Sequence, residues 1–327
     1  MNLGFWAQLK KPIMALAPMA NVTDAAFRHI IANYGRPDVL WTEFVSCDGL
    51  CSEGKERLLV DLKFGESERP IVAQFFGATP EHFYKCAQLA QELGFDGIDI
   101  NMGCPDRSVE KQGAGAALIK NPYLAQKIIY ETMRGAGTLP VSVKTRIGYT
   151  QNTLHEWLKY LLETECAAIT IHARTRKEMS AVPARWDTIR EAVEIRDTFC
   201  KGKEKTLVLG NGDVTTIAEA HARAQETGVD GIMIGRGIFG NPWLFSKKEK
   251  EVNIKERLKV MIEHTKLFEE MYIKNTKEGC PIKSFDVMKK HYKAYINGFD
   301  GAKELRIKLM EAKNAEEVAD IVLKYHS

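Results

Sequence analysis

The sequence predicts an α/β fold, a (β/α)8 TIM barrel followed by a small all-helical C-terminal domain. Three observations predict it. Short apolar runs recur eight times with helix-patterned segments between them, which implies parallel pairing because each crossover consumes a helix's length of chain. Strand patterning stops near residue 234, and only helical periodicity follows. The chain has 327 residues, more than the about 250 such a barrel needs, which leaves a remainder for a second unit. A doubly wound sheet is the other arrangement of alternating strands and helices. It lacks support here, because no G-x-G-x-x-G follows the first run.

The apolar runs span 13–17, 39–45, 71–75, 97–100, 141–143, 168–171, 207–209 and 231–234. Helix patterning covers 23–34, 80–93, 122–134, 153–164, 186–197 and 215–227, the first opening on the helix-start signal Thr23-Asp24. Residues 52–69 are half charged and only loosely periodic, which predicts a long active-site loop with room for a short helix. A charged linker covers 246–253. Ile254, Leu258, Ile262, Thr265, Phe268 and Tyr272 then fall at helical spacing. A second tail helix is expected over 283–297, ending near Gly298. A third starts near Gly301, and a fourth at Asn314 with Glu317 in a capping-box-like arrangement. The expected division is a catalytic barrel over 1–245 and a helical domain over 246–327.

A hydrophobic fraction of 45% and a charged fraction of 27% fit a globular chain and exclude disordered and collagen-like classes. The seven cysteines are odd in number and none is paired as C-x-x-C. That argues against a disulfide framework or a metal site and for a reducing, cytoplasmic setting. The apolar stretch after Lys10 and Lys11 contains Pro18 and runs into a helix start, so it reads as a strand and not as a signal peptide. No segment approaches the ~20 apolar residues that span a bilayer. The net charge of +3 is uneven: residues 246–327 hold 18 Lys and Arg against 14 Asp and Glu, and the rest holds 28 against 29. A basic tail suits either a polyanionic partner or a solvated helix surface.

In such a barrel the reactive groups sit at the carboxyl ends of the strands. Polar or unusual residues stand there in every run: Met19, Glu43, Gln74, Asn101, Lys144, His172, Asn211 with Asp213, and Arg236. The turns Gly210-Asn211-Gly212-Asp213 and Gly235-Arg236-Gly237 follow the last two runs, where this architecture commonly holds a phosphate on backbone N–H groups. Lys144 suits a Schiff base, a fixed positive charge beside a flavin, or a lysine snorkelling from the barrel mouth. Cys104 stands between Gly103 and Pro105 just beyond the fourth run. An ordinary thiol, with a pKa of ~8.5, is mostly protonated near neutrality and can act as an acid or a nucleophile.

The segments Ala17-Pro18-Met19-Ala20 with Thr23-Asp24, Asp99-Ile100-Asn101-Met102-Gly103-Cys104-Pro105 and Val143-Lys144-Thr145-Arg146 occur in one order with three more: Ile171-His172-Ala173-Arg174-Thr175-Arg176, Asn211-Gly212-Asp213, and Ile234-Gly235-Arg236-Gly237 through Gly240-Asn241-Pro242-Trp243. On these motifs the chain resembles the tRNA-dihydrouridine synthases over nearly its whole length. The tail residues Lys290-His291-Tyr292, Tyr295, Gly298, Gly301-Ala302 and Leu305-Arg306 resemble that family's RNA-binding domain.

The resemblance implies an FMN held by Pro18, Met19, Ala20, Gln74, Lys144, His172, Asn211, Gly212, Asp213, Gly235 and Arg236, with NADPH or NADH as reductant. It implies Cys104 as proton donor and Asn101 at the target base. Arg174, Arg176, Lys289, Lys290, His291 and Tyr295 are expected on the substrate side. The partner is tRNA; no membrane and no metal are expected, and the chain is expected to work as a monomer. The chemistry is a hydride delivered to C6 of uracil and a proton to C5 from the other side of the ring. The base must leave its stack, and Lys274, Lys277, Lys283, Lys289, Lys290 and Lys293 are expected to offset that cost at phosphates. One stretch departs from the pattern: Glu178, Ser180, Val182 and Arg185 stand where the family usually has Gln, Tyr, Gly and Asp. The departure bears on which uridine is chosen. Competing readings are a dehydrogenase or reductase of free pyrimidines such as dihydroorotate, an aldolase using Lys144, and a non-catalytic RNA-binding protein.

Overall fold

The computed structural model describes residues 1–246, 252–274 and 281–326. Lys277, Glu278, Cys280 and most of the expected linker lie outside the described residues. The apolar runs form β1 (Ile13–Leu16), β2 (Leu40–Trp41), β3 (Val45–Ser46), β4 (Ile71–Phe76), β5 (Gly97–Met102), β6 (Val141–Arg146), β7 (Ala168–His172), β8 (Leu207–Asn211) and β9 (Gly231–Ile234). All pairings are parallel, in the order β1-β9-β8-β7-β6-β5-β4-β2. A bridge from Ala15 to Val39 brings the last strand back to the first, so the sheet curls into the expected barrel.

The second barrel position is held by two short strands, β2 and β3, where one run over 39–45 was expected. Thr42 is the cause. Its N–H donates to Val72 O at 3.0 Å in the usual way, but its side-chain oxygen accepts from Gln74 N at 3.0 Å. A hydroxyl replaces a main-chain acceptor, the ladder breaks over 42–44, and Glu43 is re-aimed, as at a β-bulge.

Helices α1 (Ala25–Tyr34), α2 (Pro80–Glu92), α3 (Pro122–Ala136), α4 (Leu154–Leu162), α5 (Trp186–Phe199) and α6 (Ile217–Thr227) alternate with the strands. Asp24 caps α1 by accepting from Phe27 N at 2.9 Å, and proline opens α2 and α3, where a missing N–H costs nothing. Residues 52–69 are more structured than the sequence suggests, with short helices at Lys55–Leu58, Leu59–Leu62 and Glu66–Glu68. Arg28 on α1 anchors them: its fully buried guanidinium donates to Glu68 Oε2 at 2.6 Å, to Thr23 O at 2.6 Å and to Lys63 O at 2.5 Å.

The tail forms α7 (Ile254–Glu269), continued by a π turn over Glu270–Lys274, then α8 (Val287–Tyr295), α9 (Ala302–Glu311) and α10 (Ala315–His326). Asn314 Oδ1 accepts from Glu317 N at 2.8 Å and Glu317 Oε2 from Lys313 N at 2.9 Å, so that cap forms as expected. Leu258, Phe268, Tyr272, Tyr295 and Leu305 form one buried cluster with Ala26 and Ile30 of α1. The helices therefore sit directly against the barrel. No helix among the described residues is long and apolar enough to cross a membrane.

Candidate active site

A cavity of about 410 Å³ opens at the carboxyl ends of the strands, within the about 300–1,000 Å³ of typical ligand sites. Pro18 and Met19 enter it after β1, Lys144 and Arg146 from the end of β6, His172 and Arg174 around the end of β7, Asn211 to Asp213 from β8, and Gly235 and Arg236 after β9. These include every residue expected at the cofactor except Ala20 and Gln74. Ala20 is exposed on the same turn as Met19. Gln74 is fully buried in the barrel.

Four cationic side chains, Lys144, Arg146, Arg174 and Arg236, and one neutral imidazole set the electrostatics. Lys144 donates to Asn211 Oδ1 at 3.2 Å; burial, then Arg146, lowers its pKa to about 8 against the pull of Asp99. It is still mostly an ammonium near neutrality. Burial, helped by Lys144, Arg146, Arg174 and Arg236, lowers His172 to about 2. Arg174 Nη1 lies 3.1 Å from His172 Nε2. A guanidinium can only donate, so Nε2 accepts and the ring proton is on Nδ1. Arg174 also grips both Asp213 oxygens, at 2.7 and 2.5 Å, and Arg236 donates to one of them at 2.9 Å.

Asp213 is therefore spent on two arginines. Its carboxylate neutralises and orients them. Arg174, expected on the substrate side, is only 2% exposed, and its Nε–H donates to Val182 O at 2.6 Å. With four of its five N–H donors engaged inside the protein, it belongs to the cavity wall.

Beside the cavity stands the loop of Cys104. Asn101 Oδ1 accepts from both Gly103 N (3.1 Å) and Cys104 N (2.9 Å), while Asn101 Nδ2 donates to Gln74 Oε1 at 3.1 Å. Gln74 in turn donates to Asp99 Oδ2 at 2.6 Å, and Ser142 donates to Asp99 Oδ1 at 2.6 Å. A chain of polar contacts thus runs from the barrel interior to the thiol loop, leaving Asn101 at most one N–H for a base. Burial pushes the half-buried Cys104 thiol above its ordinary value, opposed by a backbone hydrogen bond and by Arg146 and Lys144. The group is a protonated thiol at neutral pH.

Two loop anchors escaped the sequence reading. Arg146 donates to Gly103 O (2.8 Å), Thr175 O (3.0 Å) and Met179 O (2.9 Å), tying the Cys104 loop to the loop after β7. The period-2 alternation of a strand puts it on the same face as Lys144, a signal present in the sequence. Arg185 grips Glu178 through two bonds at 2.8 and 2.7 Å. Two of the atypical residues of that loop therefore compensate each other, and they hold Met179 and Ser180 at the cavity mouth. Arg176 pairs with Glu110 and holds the same loop to the short helix Arg107–Glu110.

The substrate-side expectations for α8 are corrected in part. His291 and Tyr295 are each 1% exposed, on the helix face that packs against α1 and α7, where no RNA reaches them. Lys290 and Lys293 are exposed, and Lys289 pairs with Asp286 at 2.6 Å on the same outer side. Lys274 pairs with Glu269 at 2.5 Å.

A phosphate-bearing flavin suits this donor set of an ammonium, a guanidinium and an Nδ1–H imidazole. Gly235 adds a steric observation: a Cβ there would approach only Ala17 Cβ at 3.7 Å and Met19 Sδ at 3.8 Å. Protein packing does not require glycine at 235; its bareness keeps the cavity wall open beside Met19. Among the described residues no group of His, Cys, Asp and Glu is placed to hold a metal ion.

Barrel, cavity and thiol loop together define a (β/α)8 protein with a cation-lined cavity at the carboxyl ends of its strands, whose donors suit a phosphate-bearing cofactor. Over residues 15–326 the sequence matches the family described as Dihydrouridine synthase (Dus). The chain belongs to the dihydrouridine synthase family, a group of flavin-dependent oxidoreductases. It is 43% identical to "Probable tRNA-dihydrouridine synthase 2" of Bacillus subtilis (strain 168), over 97% of this chain and 95% of that one. It is 40% identical to "Probable tRNA-dihydrouridine synthase" of Staphylococcus aureus (strain MRSA252), over 100% and 97%. Among solved structures it is similar in fold to morphinone reductase, with a TM-score of 0.52 and 13% identity over 79% of this chain and 91% of that one. Histamine dehydrogenase from Rhizobium sp. 4-9 gives a TM-score of 0.52 and 14% identity over 79% and 48%.

Proposed function

We propose that the chain reduces particular uridines of tRNA to 5,6-dihydrouridine, in the cytoplasm and as a monomer, with FMN as cofactor and NADPH or NADH as electron source. Residues 1–245 carry the chemistry and 246–327 carry the RNA. When bound, FMN supplies the electron pair, as hydride, to C6 of the pyrimidine. Lys144, His172, Asn211 to Asp213, Gly235 and Arg236 hold it; Lys144 offsets anionic charge on the ring system, and Arg236 with the glycine turns suits its phosphate.

Cys104 gives its thiol proton to C5 on the face opposite the incoming hydride and regains one from solvent. The observation that carries this reading is the tether of the Cys104 loop. Asn101 fixes its amides and Arg146 fixes Gly103 O, so a protonated thiol is held at a set place beside the cavity. A positioned acid is worth about 10²–10⁴ in rate. Lys289, Lys290 and Lys293 on the outer side of α8 take phosphates, fixing the register of the RNA without reading its sequence.

Deleting the gene and mapping dihydrouridine across tRNA and rRNA tests the function. Loss at one or a few positions in the D loop of tRNA is expected. Loss confined to rRNA would overturn the choice of tRNA, and an unchanged map would overturn the activity.

A further inference from the structure

Glu43 and Lys283 lie 240 positions apart and meet where the helices touch the barrel. Lys283 was expected at phosphates. Instead its side chain is 11% exposed, its ammonium bonds Glu43 Oε2, lies 2.9 Å from Asp61 Oδ1, and stands 5.0 Å from the centre of the Tyr272 ring. Tyr272 itself reaches the barrel, its oxygen accepting from Ala25 N at 3.0 Å. Burial alone would lower the pKa of Lys283, but Glu43, Asp61, Asp24 and Tyr272 together hold it above the ordinary lysine range. The group is a fixed cation.

Glu43 faces two ways. One oxygen takes the Lys283 ammonium; the other accepts from Asn21 N. Asn21 ends the turn that carries Met19 into the cavity, and its φ of 56° is in the left-handed region, a conformation that a fixed partner must maintain. The broken ladder at Thr42 is what turns Glu43 toward this turn. One carboxylate, 5% exposed, thus joins the wall of the cofactor cavity to the helical tail.

We propose that the Lys283–Glu43 pair is a positioning latch that holds the C-terminal helices, and the RNA on them, in register with the Met19 turn at the cavity mouth. The inference rests on the proposed RNA substrate. Lys283 is a positioning residue: it touches neither cavity nor RNA. A buried pair of this kind is a weak source of stability and a strong source of geometry, and a misplacement of about 1 Å at a reacting centre can cost roughly 10²-fold in rate.

The test compares the flavin-loaded full-length protein with Lys283→Met, Lys283→Arg and Glu43→Gln, the last keeping an oxygen for Asn21 N. Four readings are taken: flavin content, NADPH oxidation without RNA, tRNA Kd, and kcat for dihydrouridine formation at saturating tRNA. For Lys283→Met and Glu43→Gln, kcat is expected to fall by roughly tenfold to a hundredfold. Flavin content and RNA-free NADPH oxidation stay at wild-type levels in Lys283→Met, the tRNA Kd stays within about threefold of wild type, and Lys283→Arg recovers most of kcat.

Wild-type kcat in Lys283→Met would overturn the latch, as would Lys283→Arg losing as much as Lys283→Met. A loss seen wholly in tRNA Kd would also overturn it, by making Lys283 an RNA contact. If Lys283→Met does not fold, the comparison of Lys283→Arg with Glu43→Gln decides by the same criteria. A wild-type protein that forms no dihydrouridine in tRNA would instead sink the RNA reading on which the latch rests.

Discussion

Lys144 and Cys104 show how place sets the behaviour of single groups. The lysine is held at about 8 by burial, so its charge is present at pH 7 and lost as pH rises through 8. The flavin-free protein should therefore bind FMN more weakly at pH 9 than at pH 7, by up to roughly tenfold per unit above the pKa, measured by flavin fluorescence titration. Lys144→Met should bind weakly and without that dependence; a flat wild-type profile would contradict the role. Lys144, His172 and Asn211 were legible because polar residues at the ends of apolar runs have one natural place in a barrel. The roles of Asn101 and Asp213 were not. The sequence shows an amide and a carboxylate but not that two backbone N–H groups and two arginines consume them.

Helix α8 divides into two faces, and the sequence held the key to that division. Met288, His291, Tyr292 and Tyr295 recur at helical spacing and are all buried; an aromatic stripe with this period is a packing face, although His291 and Tyr295 resemble RNA-contact residues. Lys290 and Lys293 occupy the other face. Tyr295→Ala should cost about 3 kcal/mol or more of stability, as large buried aromatics do, whereas Lys293→Ala should stay within about 0.5 kcal/mol and instead raise the tRNA Kd and flatten its salt dependence. Urea melts and binding isotherms at several salt concentrations separate the two. An unstable Lys293→Ala, or a stable Tyr295→Ala that loses RNA binding, would reverse the assignment of the faces. The strands and most helices were legible from periodicity, while the break at Thr42 and the presence of three short helices in 52–69 instead of one were not, because a side-chain acceptor breaks the ladder and the buried Arg28–Glu68 pair anchors that segment.

At the scale of the whole molecule, barrel and tail meet across a buried aromatic cluster. His264 and His291 stand edge to face at 4.7 Å, with Phe27 against both rings. Both His264 nitrogens and His291 Nε2 find no hydrogen-bond partner among the described residues. Burial lowers His264 from 6.5 to about 3, and burial, helped by His264 and Lys290, lowers His291 well below its ordinary value. A histidine depressed in the folded state leaves the unfolded chain binding more protons between the two pKa values. Stability is then full above about pH 6.5 and falls as pH drops toward 3, by about 1.4 kcal/mol per unit for each such group. Melting curves between pH 7 and 5 should show this slope, and His264→Phe should reduce it; equal slopes would contradict the burial of neutral imidazoles there. The architecture was legible because eight strand–helix units and a basic tail are long-range patterns. The contacts between the two parts were not, because they join residues far apart in the chain.

The most direct measurement of the central chemistry is the dihydrouridine formed in tRNA by flavin-loaded Cys104→Ala beside wild type, counted by mass spectrometry of digested RNA. A fall of about 10²–10⁴ in rate with flavin content and tRNA Kd unchanged is expected of a lost general acid. Dihydrouridine formed at the wild-type rate would contradict it.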